Sequence, residues 1–353
     1  MRVVKLAKKD LGQAAKKLQA AYKVFAPVKE RDFHNFRLLG EGKEPDFDFA
    51  NTRLSAKHIV YPQSEKMMRA SLDPSQENHH IYKEEEKDYS PRAILGIRPC
   101  DAKAYDLVRL NFDTPDYKDP YWTKSYDALT RVGLACTSPC ATCFCTTAGT
   151  GPHDESGLDI LLVEDGDSLL AKIITEKGQS LAQKAGWTAE APEDAATVLE
   201  KAKETAQAAV TAKIETDRIP QKKTVAIYES NIWDDLAFAC INCGTCTYLC
   251  PTCWCFDIQD EVSNKQTIRI KSWDSCMFPL FTIHGTGHNP RPNKVSRVRQ
   301  RFLHKLKYYP EKYGIGIHCV GCGRCITQCP VNIDIRHAAK LMNEFEPVEA
   351  CKV

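Results

Sequence analysis

The sequence predicts an α+β / α/β protein in two parts: an N-terminal mixed α/β domain, then a C-terminal, mostly helical dicluster domain of the bacterial ferredoxin type. Three observations predict it. Short apolar runs of strand length punctuate the first half. Of the 17 cysteines none lies in residues 1–99 or 146–239, five lie in 100–145, eleven in 240–329, and Cys351 stands alone. One cysteine spacing occurs twice in the second half. We expect residues 1–215 to form the mixed domain with an additional iron–sulfur site, 216–223 a linker, and 224–353 the dicluster domain.

Taken in order, Val3 to Leu6 reads as a short strand, followed by an amphipathic helix. The scattered lysines there leave no uninterrupted apolar stretch, so the start is not read as a secretory leader. Ala93-Ile94-Leu95-Gly96-Ile97 and Val132-Gly133-Leu134-Ala135 read as buried strands, each ending in a cysteine loop. Residues 159–163 and 169–174, joined by Glu164-Asp165-Gly166-Asp167, suggest a hairpin. The stretch from Pro192 to Ile214 is rich in Ala, Glu and Lys and predicts a helix with Pro192 in its first turn. Glu215 to Lys223, polar and carrying Pro220, marks the boundary. Short helices and cysteine loops follow.

Composition narrows the function. Hydrophobic residues make up 43% and charged residues 27%, with a net charge of +2. That is ordinary for a globular protein and gives no field strong enough to gather nucleic acid or anionic lipid. No stretch approaches 18 apolar residues, so no membrane span is expected. The cysteine count is odd and the chain long for a disulfide scaffold. A cytoplasmic setting keeps such thiols reduced, and clustered thiols there bind metal or do redox chemistry. No G-x-G-x-x-G follows a strand, and neither a P-loop nor a nucleophile–base motif is present.

Cys240, Cys243, Cys246 and Cys250-Pro251 have the spacing C-x2-C-x2-C-x3-C-P, and Cys319, Cys322, Cys325 and Cys329-Pro330 repeat it. This is the spacing of bacterial two-cluster ferredoxins. Three thiolates of each run wrap one 4Fe-4S cluster, and Gly244 and Gly323 let the loops turn. The fourth cysteine lies too far along to close the same cluster and serves the other. The expected sets are therefore Cys240, Cys243, Cys246 and Cys329 for cluster one, and Cys319, Cys322, Cys325 and Cys250 for cluster two. A zinc ribbon, the competing reading, pairs two C-x2-C knuckles and needs no fourth cysteine with proline.

About 70 residues separate the runs. Cys253, Cys255 and Cys276 within them either supplement the ligands or act as buried thiols near a cluster. His284 and His288 read as loop residues or ligands. From Arg291 to Lys312 there are eight Lys or Arg against Glu311 alone. A solvated helix is the plain reading. Cations that favour a reduced cluster, the docking of an acidic partner, and nucleic-acid binding, for which no recognised motif accompanies the charge, are the alternatives.

In the first half, Cys100 follows one predicted strand, and Cys136, Cys140, Cys143 and Cys145 follow another. Neighbouring parallel strands end at one sheet edge, where ligands bind. Cys100, Cys136, Cys143 and Cys145 are the expected ligands of a third 4Fe-4S cluster. Free thiols and zinc are the alternatives.

The sequence resembles the iron–sulfur β subunits of cytoplasmic sulfhydrogenases, their counterpart in anaerobic sulfite reductase, and the related flavin oxidoreductase subunits that feed heterodisulfide reductases. The residues that carry the resemblance are GIRPCD at 96–101, CFC at 143–145, GLDILL at 157–162, the two ferredoxin runs within 240–261 and 319–333, RIKSWDSCMF at 269–278 and GHNPRPNK at 287–294. The resemblance implies a non-catalytic subunit. Such a protein passes electrons between a terminal hydrogenase, sulfite reductase or heterodisulfide reductase and a flavin/NAD(P)-binding subunit. Cys140 stands outside the family pattern. A self-contained reductase, with a small substrate at the N-terminal cluster, is the alternative. Cys351 is given no role.

Overall fold

The computed structural model describes residues 2–40 and 43–346, so Cys351 lies outside the described residues. The first half runs β1 (Arg2–Ala7), α1 (Leu11–Leu18), β2 (Lys23–Glu30), β3 (Phe33–Leu38), β4 (Ser64–Ser71), β5 (Lys83–Glu84), β6 (Arg92–Ile97), α2 (Pro99–Phe112), α3 (Pro120–Asp127), β7 (Leu129–Leu134), β8 (Ile160–Asp165), β9 (Ser168–Ile173), α4 (Glu176–Ala185) and α5 (Ala195–Ala209). The second half runs α6 (Thr224–Tyr228), α7 (Ile232–Phe238), α8 (Thr245–Tyr248), β10 (Phe256–Ser263), β11 (Gln266–Trp273), α9 (Lys294–Leu303), α10 (Tyr309–Tyr313), α11 (Arg324–Thr327) and α12 (Ile335–Glu344).

Seven strands form one sheet in the order β1-β9-β8-β7-β6-β2-β3. The middle four, β8, β7, β6 and β2, are parallel, and the outer pairings are antiparallel. Parallel strands covered on both faces read as continuous apolar runs, and Ala93 to Leu95 are completely buried. On one face α1 and α4 seal a core through Leu11, Ala14, Ala15, Leu18, Leu181 and Ala185. On the other, α2 and α3 contribute Tyr105, Val108, Phe112, Trp122 and Tyr126. At the end of β6 the register with β7 shifts between Leu95 and Ile97. Gly96 takes φ +79° at this bulge, a conformation that favours glycine.

Two sequence expectations meet a difference here. Cys100 is not on a loop. Pro99 occupies the first turn of α2, where its missing N–H costs nothing, so Cys100 sits in a helical turn directly after β6. Secondly, the linker expected at 216–223 does not separate the sheets. Strands β10-β11-β4-β5 form a second, antiparallel sheet, with β11 paired to β4 from Gln266↔Ser71 to Ser272↔Ser64. Trp273, ending β11, packs into the core beneath α2 and α3. The hairpin between the two ferredoxin runs thus lies on the first half of the chain.

A third core joins α7, α9 and α12 through Trp233, Phe302, Ala338 and Met342. Phe144 and Ile219 enter the same core. Among the described residues no helix is long and apolar enough to cross a membrane.

Candidate metal centres

The two ferredoxin runs fold alike. In the first, Gly244 takes φ +75° ahead of α8; in the second, Gly323 takes φ +72° ahead of α11. Each short helix carries the third cysteine of its run, and the fourth follows it. Close packing adds a second demand for glycine, because a Cβ on Gly244 would stand 2.7 Å from the Phe278 ring.

Cys240, Cys243 and Cys246 line one cavity together with Cys325 and Cys329 from the other run. Cys250 is buried and lies close enough to Cys319, Cys322 and Cys325 to act on their charge. Burial raises all three thiols, Cys319 to about 12, and the Cys250 sulfur adds to the rise. Cys329 therefore lies beside the first three thiols of the other run, while Cys250 acts on Cys319, Cys322 and Cys325 and also on Cys246 of its own run. Cys243 alone among the eight is exposed.

A separate cavity gathers Cys100, Cys136, Cys140, Cys143 and Cys145, with Arg98 and Cys322 in its wall. It holds the four expected N-terminal thiols and Cys140 as a fifth. Burial raises the thiols of Cys100, Cys136 and Cys145, the last to about 11. A hydrogen bond from Cys143 instead lowers Cys140 to about 6. Arg98 is buried with its guanidinium donating to the Ala50 carbonyl at 3.1 Å and the Ala135 carbonyl at 2.8 Å. It supplies fixed positive charge beside Cys136 and Cys100.

This cavity abuts the second ferredoxin run. The Phe144 N–H donates to the Gly321 carbonyl at 2.9 Å, and Cys143 Sγ lies 3.7 Å from the Cys322 carbonyl oxygen. The approach is close enough that a Cβ on Gly321 would fall 2.5 Å from the Cys145 backbone nitrogen. Arg324, between Cys322 and Cys325, forms an ion pair with Asp101, the residue after Cys100.

The basic segment departs from the solvated reading. Arg297, Arg301, Lys305 and Lys307 are buried. Lys305 Nζ lies 3.3 Å from Cys250 Sγ and donates to Thr252 Oγ1 at 2.8 Å. Burial would lower its pKa, yet the thiols of Cys250, Cys253 and Cys319 hold it above the ordinary value. Arg301 lines the Cys240 cavity, and its Nε and one terminal nitrogen have no hydrogen-bond partner. Buried donors without acceptors are costly. A thiolate-held iron–sulfur group carries negative charge and satisfies them, so these residues fit such a group. The period was legible: Arg297, Arg301 and Lys305 stand four apart on one helical face. What the sequence did not display was that this face meets thiols.

Cys253, Cys255 and Cys276 line a further cavity. His284 and His288 lie on an exposed loop, with the His284 N–H bonded to the His288 carbonyl at 2.8 Å. Among the described residues no three thiol, imidazole or carboxylate groups converge as closely as a single metal ion requires.

Fold, paired thiol runs and buried cations together define an iron–sulfur electron-transfer subunit, and residues 239–333 match the 4Fe-4S dicluster domain family. Over 340 residues, 95% of this chain and 96% of the relative, the sequence is 27% identical to sulfhydrogenase 2 subunit beta of Pyrococcus furiosus. The resemblance to iron–sulfur β subunits thus extends beyond the ferredoxin runs to almost the whole chain. No solved structure matches.

Proposed function

We propose that the chain relays electrons between a terminal catalytic subunit, of hydrogenase, sulfite reductase or heterodisulfide reductase type, and a flavin/NAD(P)-binding subunit, in a cytoplasmic complex. Bound iron–sulfur clusters supply one-electron acceptance and release; the chain's residues set their place and charge. Cys240, Cys243, Cys246 and Cys329 hold the first 4Fe-4S cluster. Cys319, Cys322, Cys325 and Cys250 hold the second. Cys100, Cys136, Cys143 and Cys145 hold a third, with Cys140 beside them as a spare thiol. Residues 1–215 serve as the additional cluster's domain and 224–353 as the dicluster domain.

The observation that carries this reading is the continuity of the thiol sets. The N-terminal cavity shares Cys322 with the second set, and Cys325 of the second set also lines the cavity of the first. The first set then reaches the surface at exposed Cys243, flanked by Ile241, 62% exposed, and Phe238, 83% exposed. A row of sites that opens at the surface beside apolar side chains suits transfer to a docked partner.

The test is the purified chain, reconstituted anaerobically. Three clusters require about twelve irons per chain and two require about eight. The expected protein is brown, bleaches with dithionite and turns over no substrate until partner subunits are added. Turnover by the isolated chain would support a self-contained reductase instead. Colourless, zinc-loaded protein would end both readings.

A further inference from the structure

The two ferredoxin runs and the N-terminal cavity account for thirteen of the cysteines, and Cys253, Cys255 and Cys276 stand apart from them. The fold brings these three together from distant places. Cys253 and Cys255 lie on the short stretch between Cys250 and β10. The β10–β11 hairpin returns the chain beside them, with Phe256 opposite Trp273, and the Asp274 N–H donates to the Cys255 carbonyl at 2.9 Å. That bond brings Cys276, two residues further on, to the cavity that Cys253 and Cys255 line. The stretch Cys253-Trp254-Cys255 repeats the cysteine–aromatic–cysteine form of Cys143-Phe144-Cys145, which presents two sulfurs to the N-terminal cavity.

The cavity these thiols line has a volume of about 340 Å³. Its wall includes Arg291, Arg301 and Lys305, and no carboxylate lines it among the described residues. His318, which lines neither of the other two thiol cavities, has its Nε2 unpartnered, and Arg301, whose Nε and one terminal nitrogen are unpartnered, stands in the wall shared with the Cys240 cavity. His318 is 1% exposed and Arg301 4%. Three permanent cations around three thiols, with polar atoms left unpaired, describe a site for an anionic group. Plain buried thiols would need neither the volume nor the positive charge.

We propose that Cys253, Cys255 and Cys276 hold a further iron–sulfur cluster through three thiolates, with its remaining iron open to the cavity. Among the described residues no fourth thiol lines this space, so that iron is left to a small ligand entering from the cavity side. The net positive wall selects an anion or a thiolate. The cluster sits next to the second set, because the Cys253 N–H donates to the Cys250 carbonyl at 3.4 Å, and it gives the relay a branch at which a small molecule can bind. This inference adds to the proposed relay and stands apart from the N-terminal cluster.

The experiment uses the full chain, purified and reconstituted anaerobically, with Cys276→Ser, Cys255→Ser and Cys145→Ser for comparison. Iron and acid-labile sulfide should fall by about four per chain in Cys276→Ser and in Cys255→Ser, with the EPR signals of the ferredoxin pair retained. Cyanide added to the wild-type chain should alter the EPR or Mössbauer signature of one cluster, and that response should vanish in Cys276→Ser. The cyanide measurement needs no variant to fold. Unchanged iron in both variants and a cyanide-silent wild type would overturn the proposal, as would a Cys255–Cys276 disulfide or stoichiometric zinc at these thiols. If Cys145→Ser loses iron while Cys276→Ser does not, the three-cluster relay stands and this inference falls.

Discussion

The guanidinium of Arg324 holds both carboxylate oxygens of Asp101, at 2.6 and 2.7 Å, with the two side chains 4% and 1% exposed. Its Nε also donates to the Thr52 carbonyl at 2.8 Å. Asp101 adjoins Cys100 at the start of α2, and Arg324 stands among the thiols of the second ferredoxin run. One bidentate, buried ion pair thus fastens the N-terminal thiol cavity to the dicluster fold.

Removing one partner of such a pair leaves a buried charge without its counter-ion. Asp101→Asn should therefore destabilise the protein by about 3–5 kcal/mol, read as a lowered midpoint of chemical denaturation under anaerobic conditions. Iron should be lost from the N-terminal thiols before the ferredoxin pair. Unchanged stability and iron content would mean that the pair is not the fastener.

Gly321 tests the same contact from the backbone. It takes φ +64°, and its α-carbon faces Cys145 so closely that an added methyl would meet backbone atoms at 2.5 Å. Gly314 also has a positive φ, +66°, but faces open space. The left-handed strain alone costs about 1–2 kcal/mol, so Gly314→Ala should lose that amount. Gly321→Ala should lose more and disturb the spectrum of the cluster proposed at the N-terminal thiols. Equal losses in thermal or denaturant midpoint would show that the loop withdraws freely.

What the sequence disclosed, and what it hid, follows from where each signal resides. Strands β6 and β7 were legible because burial on both faces makes them continuous apolar runs. The β8–β9 hairpin was legible from its acidic turn. Strands β2 and β3 were missed: Pro27 and the charged residues Lys29 and Glu30 break any alternation, and pairing with β6 decides the matter. Strand β10 is exposed throughout and has no apolar face to read. It exists because β11 holds it, and β11 is held by β4, almost 200 residues upstream. That the cysteines of each run would gather around a shared cavity was legible because three of them stand two residues apart. Their electrostatic partners were not. Asp101 and Arg324 are 223 residues apart, and the buried face of Arg301 and Lys305 looks like any charged helix until its neighbours are known.

Lys305 should set the potential of the cluster held by the second thiol set. Its ammonium, 3.3 Å from Cys250 Sγ and 4% exposed, favours the more negative, reduced form. Lys305→Met should lower that midpoint potential in a redox titration followed by EPR, with little change in the cluster at Cys240. Lys312→Met, at an exposed position on the same segment, should leave both where they were. A potential that rises or stays fixed in Lys305→Met would show that the ammonium is compensated elsewhere.

The crossed ligand sets make a prediction that the uncrossed arrangement reverses. Cys250 belongs to the first run by sequence, yet it is buried beside Cys319, Cys322 and Cys325, while Cys329 lies at the cavity of Cys240, Cys243 and Cys246. Serine is a poorer ligand than cysteine, so it should shift or destroy the cluster it serves. Cys250→Ser should therefore reproduce the EPR changes of Cys322→Ser and spare the signal lost in Cys243→Ser. Cys329→Ser should do the opposite. If Cys250→Ser instead follows Cys243→Ser, each run closes its own cluster. Lys305 would then be tuning the first cluster, and the row of sites from Cys100 to the surface at Cys243 would have to be drawn in a different order.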